Sequence, residues 1–342
     1  MSRVRIAVIG AGTWGRNHVR TLATLPDIDL AAVCDTSAQR REDIRRHFPD
    51  VPVTEDVGEA LDGADAAVIA TPAGTHAALA RTVIERGLPV LVEKPFALTV
   101  QDAEDVAELA AGRGVAVVAG HLLLFHPAVQ RLREMIRSGE LGSVYYLYGQ
   151  RVNLGQVRPD ENALWSFGPH DVSVAIHLLG QPPVRVTAHG MAYLQPGIED
   201  VVFVTMEFDS GVIAHVQLSW LDPHKERRLT VVGSKRMVVF DDMQPREKLK
   251  VYDKGVDRPP EYTSYGESLA IREGDIYIPR IPNVEPLTAE LRHFAQVARG
   301  LEAPHATAAD GVEVVRVLAA AAQSLAEGGR PVSIEPTRSS VR

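Results

Sequence analysis

The chain has 342 residues, 45% of them hydrophobic and 23% charged, which is typical of a folded globular protein with two domains. Its formal net charge of -8 disfavours nucleic acids and anionic membranes as partners, and its single cysteine, Cys34, excludes an intrachain disulfide and zinc sites built from cysteine pairs. The absence of any apolar run of about 18 residues predicts no membrane span and, with the single cysteine, favours a cytoplasmic location.

The first 120 residues alternate short apolar runs with longer amphipathic stretches. The apolar runs lie at 4–10, 30–34, 66–70, 89–93 and 115–120, and the amphipathic stretches include 75–87 and 99–114. Continuous apolar strands that alternate with helices are typical of a parallel sheet covered on both faces. We therefore expect an α/β protein whose residues 1–122 form a doubly wound Rossmann domain.

The remaining residues, 123–342, show the pattern of an α+β domain. Helices are predicted over 127–142, 286–299 and 309–326, and strands, rich in Tyr, Thr and Val, over 143–154, 184–194, 201–208, 212–220, 229–233, 237–242 and 248–253. Asp209-Ser210-Gly211 is a predicted hairpin turn, and 254–283 is a predicted long loop. We expect an open-faced, largely antiparallel sheet for substrate binding and oligomerisation, with the helices of 286–326 available to pack back on the first domain.

Gly10, Gly12 and Gly15 form a GxGxxG pattern between the first predicted strand and a helix. In that context the first glycine permits a tight turn, the second lets a pyrophosphate approach the backbone, and the third allows close helix packing. Thr13 and Trp14 then lie at the helix N-terminus, where free N–H groups face the phosphates. The pattern predicts a dinucleotide site.

Asp35 ends the second predicted strand, 20 residues after the last of these glycines. A carboxylate there accepts hydrogen bonds from the ribose 2′-hydroxyl and repels a 2′-phosphate, which favours NAD over NADP. Thr36 still tolerates a phosphate, and Arg40 or Arg41 offers a positive charge for one. NAD is the predicted cofactor, and NADP is the alternative.

Lys94 follows the predicted strand that ends at Glu93, and Pro95 follows it. Ligands of doubly wound sheets bind beyond the carboxyl ends of the strands, so we expect Lys94 to point towards the nicotinamide. The alternative is a solvated loop lysine.

In combination these motifs resemble the Gfo/Idh/MocA oxidoreductase family. The resemblance rests on the glycine loop, Ala70-Thr71-Pro72 with His76, Glu93-Lys94-Pro95, Phe125-His126-Pro127 and Gly168-Pro169-His170-Asp171. It implies NAD(P)-dependent oxidation or reduction at a sugar or cyclitol carbon. It also implies that Lys94 contacts the reacting hydroxyl and the nicotinamide ribose, and that the cofactor is lined by Thr71, Pro72, His76 and Glu93.

Within the family, residues 12–18 and 164–171 are most similar to UDP-N-acetylglucosamine 3-dehydrogenases and to relatives that act on UDP-N-acetylglucosaminuronate and antibiotic aminosugars. This similarity implies oxidation at C3 of a sugar, a sugar nucleotide or an aminoglycoside. The alternatives are a 3-ketosugar reductase, a cyclitol dehydrogenase of the inositol type, and a non-catalytic NAD(P)H-binding sensor. An exposed sheet face favours a homodimer or homotetramer.

His170 is expected at the N-terminus of an amphipathic helix, directly after Gly168-Pro169. The positive end of a helix dipole disfavours the imidazolium, so a neutral His170 can accept a proton. Many family members carry an aspartate four residues earlier, but Ser166 stands at that position here, which weakens the case for an Asp–His–Lys relay. The proton acceptor stays open between Lys94 and His170.

Further candidates for the substrate or nicotinamide pocket are His121, Arg151, Asn153, Trp165 and Ser166, with packing or surface positions as the equal alternative. Several of them follow the ends of the sixth predicted strand and of the first strand in the second domain. No set of His, Asp and Glu residues shows metal-ligand spacing, so no metal is predicted.

Overall fold

The structure is a computed structural model that describes residues 3–155, 157–159, 161–257 and 270–335. The chain forms two compact units. The first comprises Met1–Phe125 and Val284–Arg316, and the second comprises His126–Asn283 and Val317–Arg342.

The first unit is built on a six-stranded sheet. Its strands are β1 (Val4–Ile9), β2 (Ile28–Cys34), β3 (Val53–Thr54), β4 (Ala66–Ile69), β5 (Val90–Glu93) and β6 (Val117–Gly120). They lie in the order β3-β2-β1-β4-β5-β6, and every neighbouring pair is parallel. This strand order confirms the predicted Rossmann sheet, whose ligand crevice opens where the order reverses between β1 and β4.

The α-helices are distributed over both units. In chain order the helices are α1 (Thr13–Thr24), α2 (Ala38–His47), α3 (Val57–Leu61), α4 (His76–Glu85), α5 (Val100–Arg113), α6 (Pro127–Arg137), α7 (Ala163–Leu179), α8 (Pro286–Ala298) and α9 (Ala308–Ala326). Among these residues no helix is both long and apolar enough to cross a membrane.

Helix α8 belongs to the core of the first unit although it comes late in the chain. Its buried side chains Leu287, Leu291 and Phe294 recur every three or four residues and pack in one cluster with Val19 and Leu22 of α1. The cluster also contains Val4, Ile6 and Val8 of β1 and Ile28 and Val33 of β2, so α8 closes over the start of the Rossmann sheet.

The second unit contains a nine-stranded sheet. Its strands are β7 (Val144–Leu154), β8 (Arg185–Met191), β9 (Val201–Glu207), β10 (Ile213–Ser219), β11 (Leu221–Gly233), β12 (Met237–Asp241), β13 (Leu249–Asp257), β14 (Ala270–Tyr277) and β15 (Val332–Ser333). The order is β14-β13-β12-β11-β7-β10-β9-β8-β15, and among the described strands only β7 and β10 pair in parallel. The predicted largely antiparallel sheet is confirmed.

The turn between β9 and β10 follows the predicted hairpin. Gly211 has a φ of 81°, which is the left-handed region that favours glycine, and the Phe208 N–H donates to the Val212 carbonyl at 3.0 Å. The hairpin fixes a register in which Ala214, Val216 and Leu218 face the core.

The predicted loop over 254–283 is wrong over 254–257 and 270–277, which are strands, whereas 278–283 has no regular structure. Strand β13 continues to Asp257, and β14 pairs with it in the antiparallel sense. Because β14 is an edge strand with Arg272, Glu273 and Asp275 in its middle, it lacks the apolar alternation that reveals inner strands. The residues between, 258–269, lie outside the described part of the chain.

The expected helix start at His170 is also wrong. Helix α7 begins at Ala163, and Asn162 is its N-cap, whose side chain accepts a hydrogen bond from the Trp165 N–H at 3.1 Å. Pro169 lies inside the helix, where it removes one backbone donor without ending the helix. His170 therefore lies in the middle of α7, and the helix-dipole argument does not apply to it.

Candidate cofactor and active site

The loop between β1 and α1 has the shape that a dinucleotide requires. Gly10 has a φ of 100°, and a Cβ there would lie 2.6 Å from the Ala70 carbonyl oxygen. A Cβ at Gly15 would lie 1.9 Å from the Gly10 oxygen. At Gly12, by contrast, the nearest atom to a Cβ is Arg40 Nη1 at 3.8 Å, so this stretch of backbone is open to a ligand. Gly10, Gly12 and Gly15 therefore meet the three requirements of the GxGxxG pattern: a tight turn, an open backbone and close helix packing.

The N-terminus of α1 is suited to an anion. Gly12 is the N-cap, no side chain caps the helix, and its first turn contains no acidic residue. The N–H groups of that turn, including those of Thr13 and Trp14, are therefore oriented as in pyrophosphate sites. A dinucleotide fits this loop.

Asp35 is fixed beside the glycine loop at the position expected for a ribose-binding acid. The side chain is buried, its Oδ2 accepts the Ala11 N–H at 2.7 Å, and its Oδ1 accepts the Ser37 N–H at 2.8 Å. A carboxylate oxygen has two lone pairs, so both oxygens keep capacity for the ribose hydroxyls. The loop that binds the pyrophosphate thus also orients the acid that selects the ribose.

The two arginines near Asp35 differ in their availability. Arg41 donates to the carbonyl oxygens of Asp35 and Thr36 and pairs with Glu55 at 2.8 Å, so it is committed to local structure. Arg40 is half exposed, and its Nη1 lies 3.5 Å from Asp35 Oδ2. Of the two, Arg40 is therefore the group suited to meet a 2′-phosphate.

His76 joins the loop after β4 to the loop after β5. It is buried at the start of α4, with Nε2 2.9 Å from the Thr71 oxygen and Nδ1 2.8 Å from the Pro95 oxygen. Both partners are acceptors, so a neutral ring donates to one of them and an imidazolium donates to both. Thr71, followed by Pro72, and the segment after Lys94 are thereby held together.

Glu93 is the last residue of β5, and its carboxylate is 6% exposed. Oε1 accepts the Trp14 indole N–H and lies 2.7 Å from His18 Nε2, while Oε2 accepts the Lys94 N–H at 3.1 Å. Burial raises the pKa of Glu93, but the bond and charge of His18, the charge of Lys94 and the Trp14 bond outweigh burial and leave the pKa below its usual value. Glu93 is therefore an anion that links α1 to the loop of Lys94.

The parallel sheet places these predicted residues along one edge. The glycine loop follows β1, Asp35 follows β2, Thr71 comes just after β4, and the partly buried Lys94 follows β5. Carboxyl ends of parallel strands meet at the same edge, which is where doubly wound sheets bind ligands.

His121 follows β6 at the same edge but is enclosed. Its side chain is 2% exposed, and neither ring nitrogen has a hydrogen-bond partner among the described residues. Burial lowers the pKa of His121 to about 4, against the opposing charges of Asp310 and Glu93. The imidazole is therefore neutral at pH 7.

In the second unit, β7 carries two of the predicted substrate residues. Arg151 Nε donates to Asp171 Oδ2 at 2.6 Å, and Nη2 lies 3.4 Å from Oδ1. Asn153 lies two residues further along β7. The pairing of Arg151 with Asp171 has no sequence signal, because the two residues come from a strand and a helix 20 positions apart.

Helix α7 carries three more of the predicted substrate residues. Trp165 is partly buried in the first turn, and Ser166 and His170 lie one turn apart on the same face of the helix. Ser166 therefore presents a hydroxyl where a carboxylate at that position would approach the histidine.

One group of possible metal ligands occurs in the described part of the chain: His293, Glu302 and His305, whose donor atoms lie within 4.8 Å of one another. The His305 backbone N–H donates to His293 Nε2 at 3.1 Å, which requires the ring proton on Nδ1, and Nδ1 donates to Glu302 at 2.7 Å. A neutral imidazole binds a metal through the nitrogen that carries no proton. In His293 that nitrogen is Nε2, which already accepts the His305 N–H. This group is therefore a hydrogen-bonded His–Glu pair.

The sheet order, the glycine loop and the buried acid after β2 define a dinucleotide-binding oxidoreductase. Two family models match the chain: the oxidoreductase family with an NAD-binding Rossmann fold over residues 4–121, and the GFO/IDH/MocA C-terminal domain over residues 129–239. The chain belongs to the Gfo/Idh/MocA family, and the predicted enzyme class and NAD cofactor are confirmed.

Similarity to characterised relatives extends over the whole chain. Scyllo-inositol 2-dehydrogenase (NAD(+)) of Bacillus subtilis is 28% identical over 98% of this chain and 98% of its own. UDP-N-acetylglucosamine 3-dehydrogenase of Acidithiobacillus ferrooxidans is 28% identical over 94% of this chain and 96% of its own. The crystal structure of GenD2 from gentamicin A biosynthesis in complex with NAD is 27% identical, with a TM-score of 0.81 over 98% of this chain and 97% of that one.

We expect the wild-type enzyme to prefer NAD, and Asp35→Ala to weaken NAD binding by about 10- to 100-fold. A hydrogen bond to a charged group contributes about 1.5–3 kcal/mol, and the Ala11 N–H also loses its acceptor. Arg40→Ala is the matched variant: it should weaken NADP binding and leave NAD binding within about twofold, since it removes only the positive charge. Titration of both cofactors by fluorescence measures these affinities, and a wild-type preference for NADP would contradict the role of Asp35.

Proposed function

We propose that this enzyme oxidises a secondary ring hydroxyl at C3 of an aminosugar, carried as a UDP-sugar or within an aminoglycoside, to a 3-keto sugar with NAD as the hydride acceptor. The observation that carries the proposal is the position of Lys94 directly after β5, at the sheet edge that also holds the glycine loop and Asp35. A lysine there is placed to contact a reacting hydroxyl beside the nicotinamide.

The substrate class rests on the relatives and on local sequence. The matched relatives include a dehydrogenase of UDP-N-acetylglucosamine and a gentamicin A biosynthesis protein. Residues 12–18 and 164–171 also resemble enzymes that act on such sugars. A cyclitol is the second candidate, because the scyllo-inositol 2-dehydrogenase matches at the same 28% identity as UDP-N-acetylglucosamine 3-dehydrogenase, over 98% of the chain rather than 94%.

Oxidation removes a proton from the hydroxyl and a hydride from its carbon. NAD, when bound, supplies the hydride acceptor, and the protein positions and polarises the substrate. The positive charge of Lys94 is attracted to the Glu93 carboxylate and helps to lower the pKa of Glu93. An ammonium donates hydrogen bonds and stabilises the developing alkoxide, but it does not accept a proton. We therefore assign the hydrogen bond to the substrate oxygen to Lys94 and the proton to His170.

The substrate-binding roles of the remaining residues are part of the same proposal. Arg151, held by Asp171, and Asn153 offer donors and acceptors for sugar hydroxyls, and Trp165 offers an aromatic face. Thr71 and Pro72 line the cofactor, while His76 and Glu93 act mainly by fixing the loops on which that lining stands.

A substrate screen tests the proposal directly. Purified enzyme is mixed with NAD and UDP-N-acetylglucosamine, aminoglycosides or inositols, and the absorbance of reduced nicotinamide is followed. Aminosugar turnover supports the proposal, and turnover of inositols alone supports the second candidate. Activity confined to keto sugars with NADH shows a reductase, and NAD binding without turnover of any substrate shows a sensor.

We also propose that the open face of the second sheet joins copies of the chain into a dimer or tetramer. Tyr146, Tyr148, Ile213 and Phe203 project from β7, β10 and β9 and are 40–47% exposed in the single chain. The Tyr146 and Tyr148 rings stack at 6.2 Å, so they form a continuous apolar surface of the kind that marks interfaces.

Lys94→Ala should abolish turnover while the Kd for NAD stays within about tenfold. The phosphates and the adenosine ribose, which anchor the cofactor, contact the glycine loop and Asp35 rather than this side chain. Steady-state kinetics and NAD titration measure the two effects, with the exposed Lys250→Ala as control. A near-normal kcat would remove Lys94 from the mechanism.

His170→Asn should lower kcat/KM by about 10²–10⁴ and remove the acid limb of the pH profile, because the proton acceptor is lost. Ser166→Asp should move that limb to higher pH, since a carboxylate one turn away stabilises the imidazolium. His177→Asn, two turns along the same helix, is the control. Profiles unchanged in both variants would assign the proton to Lys94 or to water.

Tyr148→Glu and Ile213→Glu should each shift the protein from an oligomer to a monomer, because an interface would bury the new charge without a partner. Light scattering coupled to size-exclusion chromatography measures the mass. Leu301→Glu, at an exposed residue of the first unit, should leave the mass unchanged. A monomeric wild type, or oligomers that persist in both variants, would exclude this face as the interface.

A further inference from the structure

Helix α8 carries an acid in the middle of its apolar stripe. Glu290 falls between Leu287 and Phe294, is 0% exposed, and has no hydrogen-bond partner for either carboxyl oxygen among the described residues. A buried charge without a partner is strongly unfavourable, whereas a neutral acid is tolerated. Burial first, and then the negative charge of Glu93, raise the pKa of Glu290 well above its usual value. Glu290 is therefore held as a neutral acid.

Glu290 belongs to a group of ionisable residues in the first unit. Glu93, at the end of β5, is close enough for its charge to act on Glu290; His18 lies on α1, which packs against α8, and His121 follows β6. The negative charge of Asp310 opposes the lowering of the His121 pKa, and the positive charge of Lys94 lowers the pKa of Glu93. Because His121 is neutral, this cluster has few positive charges to balance a second carboxylate.

We propose that Glu290 is a positioning residue of the cofactor site: as a neutral acid it adds no second negative charge beside Glu93, and so preserves the contacts of Glu93 with Trp14, His18 and Lys94. Two carboxyl groups in one buried site retain a proton between them, because both cannot ionise together. If Glu290 ionised, repulsion would displace Glu93 from the glycine loop and from Lys94. The inference rests on the proposed role of Lys94.

The first test uses ligand-free protein and does not depend on catalysis. Glu290→Gln keeps the size of the side chain and is neutral at every pH. The folded pKa of Glu290 is raised, so the stability that its neutral form contributes is present at low pH and is lost as pH rises from about 4.5 towards the raised value. The melting temperature of the wild type should therefore fall relative to Glu290→Gln as pH rises. The exposed Glu285→Gln, at the N-cap of the same helix, should track the wild type.

The second test reads the position of Glu93 through the indole that it binds. In the wild type, tryptophan fluorescence should change over the pH range above about 4.5 in which Glu290 loses its proton. The change should be absent from Trp14→Phe, which assigns it to Trp14, and absent from Glu290→Gln. Over the same range the KM for NAD should rise at least threefold in the wild type, stay flat in Glu290→Gln, and exceed any change in kcat.

Clear results would overturn the inference. A melting-temperature difference independent of pH would show that Glu290 is not a neutral buried acid. If Glu290→Gln changes the melting temperature but leaves the Trp14 signal and the pH profile of the KM for NAD as in the wild type, Glu290 has only a structural role. If Glu290→Gln does not fold, a wild-type Trp14 signal that is flat with pH overturns the inference on its own. Absence of sugar turnover with the stability and Trp14 results intact would contradict only the proposed function.

Discussion

A carboxylate that leaves water needs hydrogen bonds or an opposite charge, because desolvating it costs several kcal/mol. In the first unit this requirement falls on Glu93, which meets it with donors from α1 and from the loop after β5. The pyrophosphate loop and the loop of Lys94 are therefore tied to the same acceptor. His76 adds a second tie, from the loop after β4 to the loop after β5. Glu93 thus ties α1 to the loop of Lys94 through one buried charge.

The same reasoning explains why the site favours NAD. Asp35 is buried, and its two oxygens accept backbone N–H groups from the glycine loop and from the turn before α2. These bonds aim the carboxylate, and a 2′-phosphate would meet it as a like charge. Arg40 lies against the same carboxylate from the solvent side, so the pocket also contains the positive group that a 2′-phosphate would need. The balance between Asp35 and Arg40 therefore sets the degree of selectivity.

The Rossmann sheet and the cofactor loop could be predicted because their signals are local: an apolar run, a glycine pattern and an acid at a fixed spacing. The remaining features depend on partners distant in the chain or on context. Pro169 suggested a helix start, but the α7 cap is Asn162, seven residues earlier. The Arg151–Asp171 pair requires knowledge of the fold. Glu290 is visible in the sequence as an acid that interrupts an apolar stripe three residues after Leu287. What it does, however, depends on Glu93, which is nearly 200 residues away in the chain.

The proposed roles of Lys94 and His170 rest on their surroundings. Lys94 and the Glu93 carboxylate attract each other, and an ammonium can hold and polarise a hydroxyl but is a poor proton acceptor. A histidine in the middle of α7 is free of the dipole that a helix terminus would impose, and its neighbour Asp171 is engaged by Arg151. Ser166 adds no charge. The proposed role of His170 as general base therefore rests on its position in α7, one turn from Ser166, and not on a helix terminus.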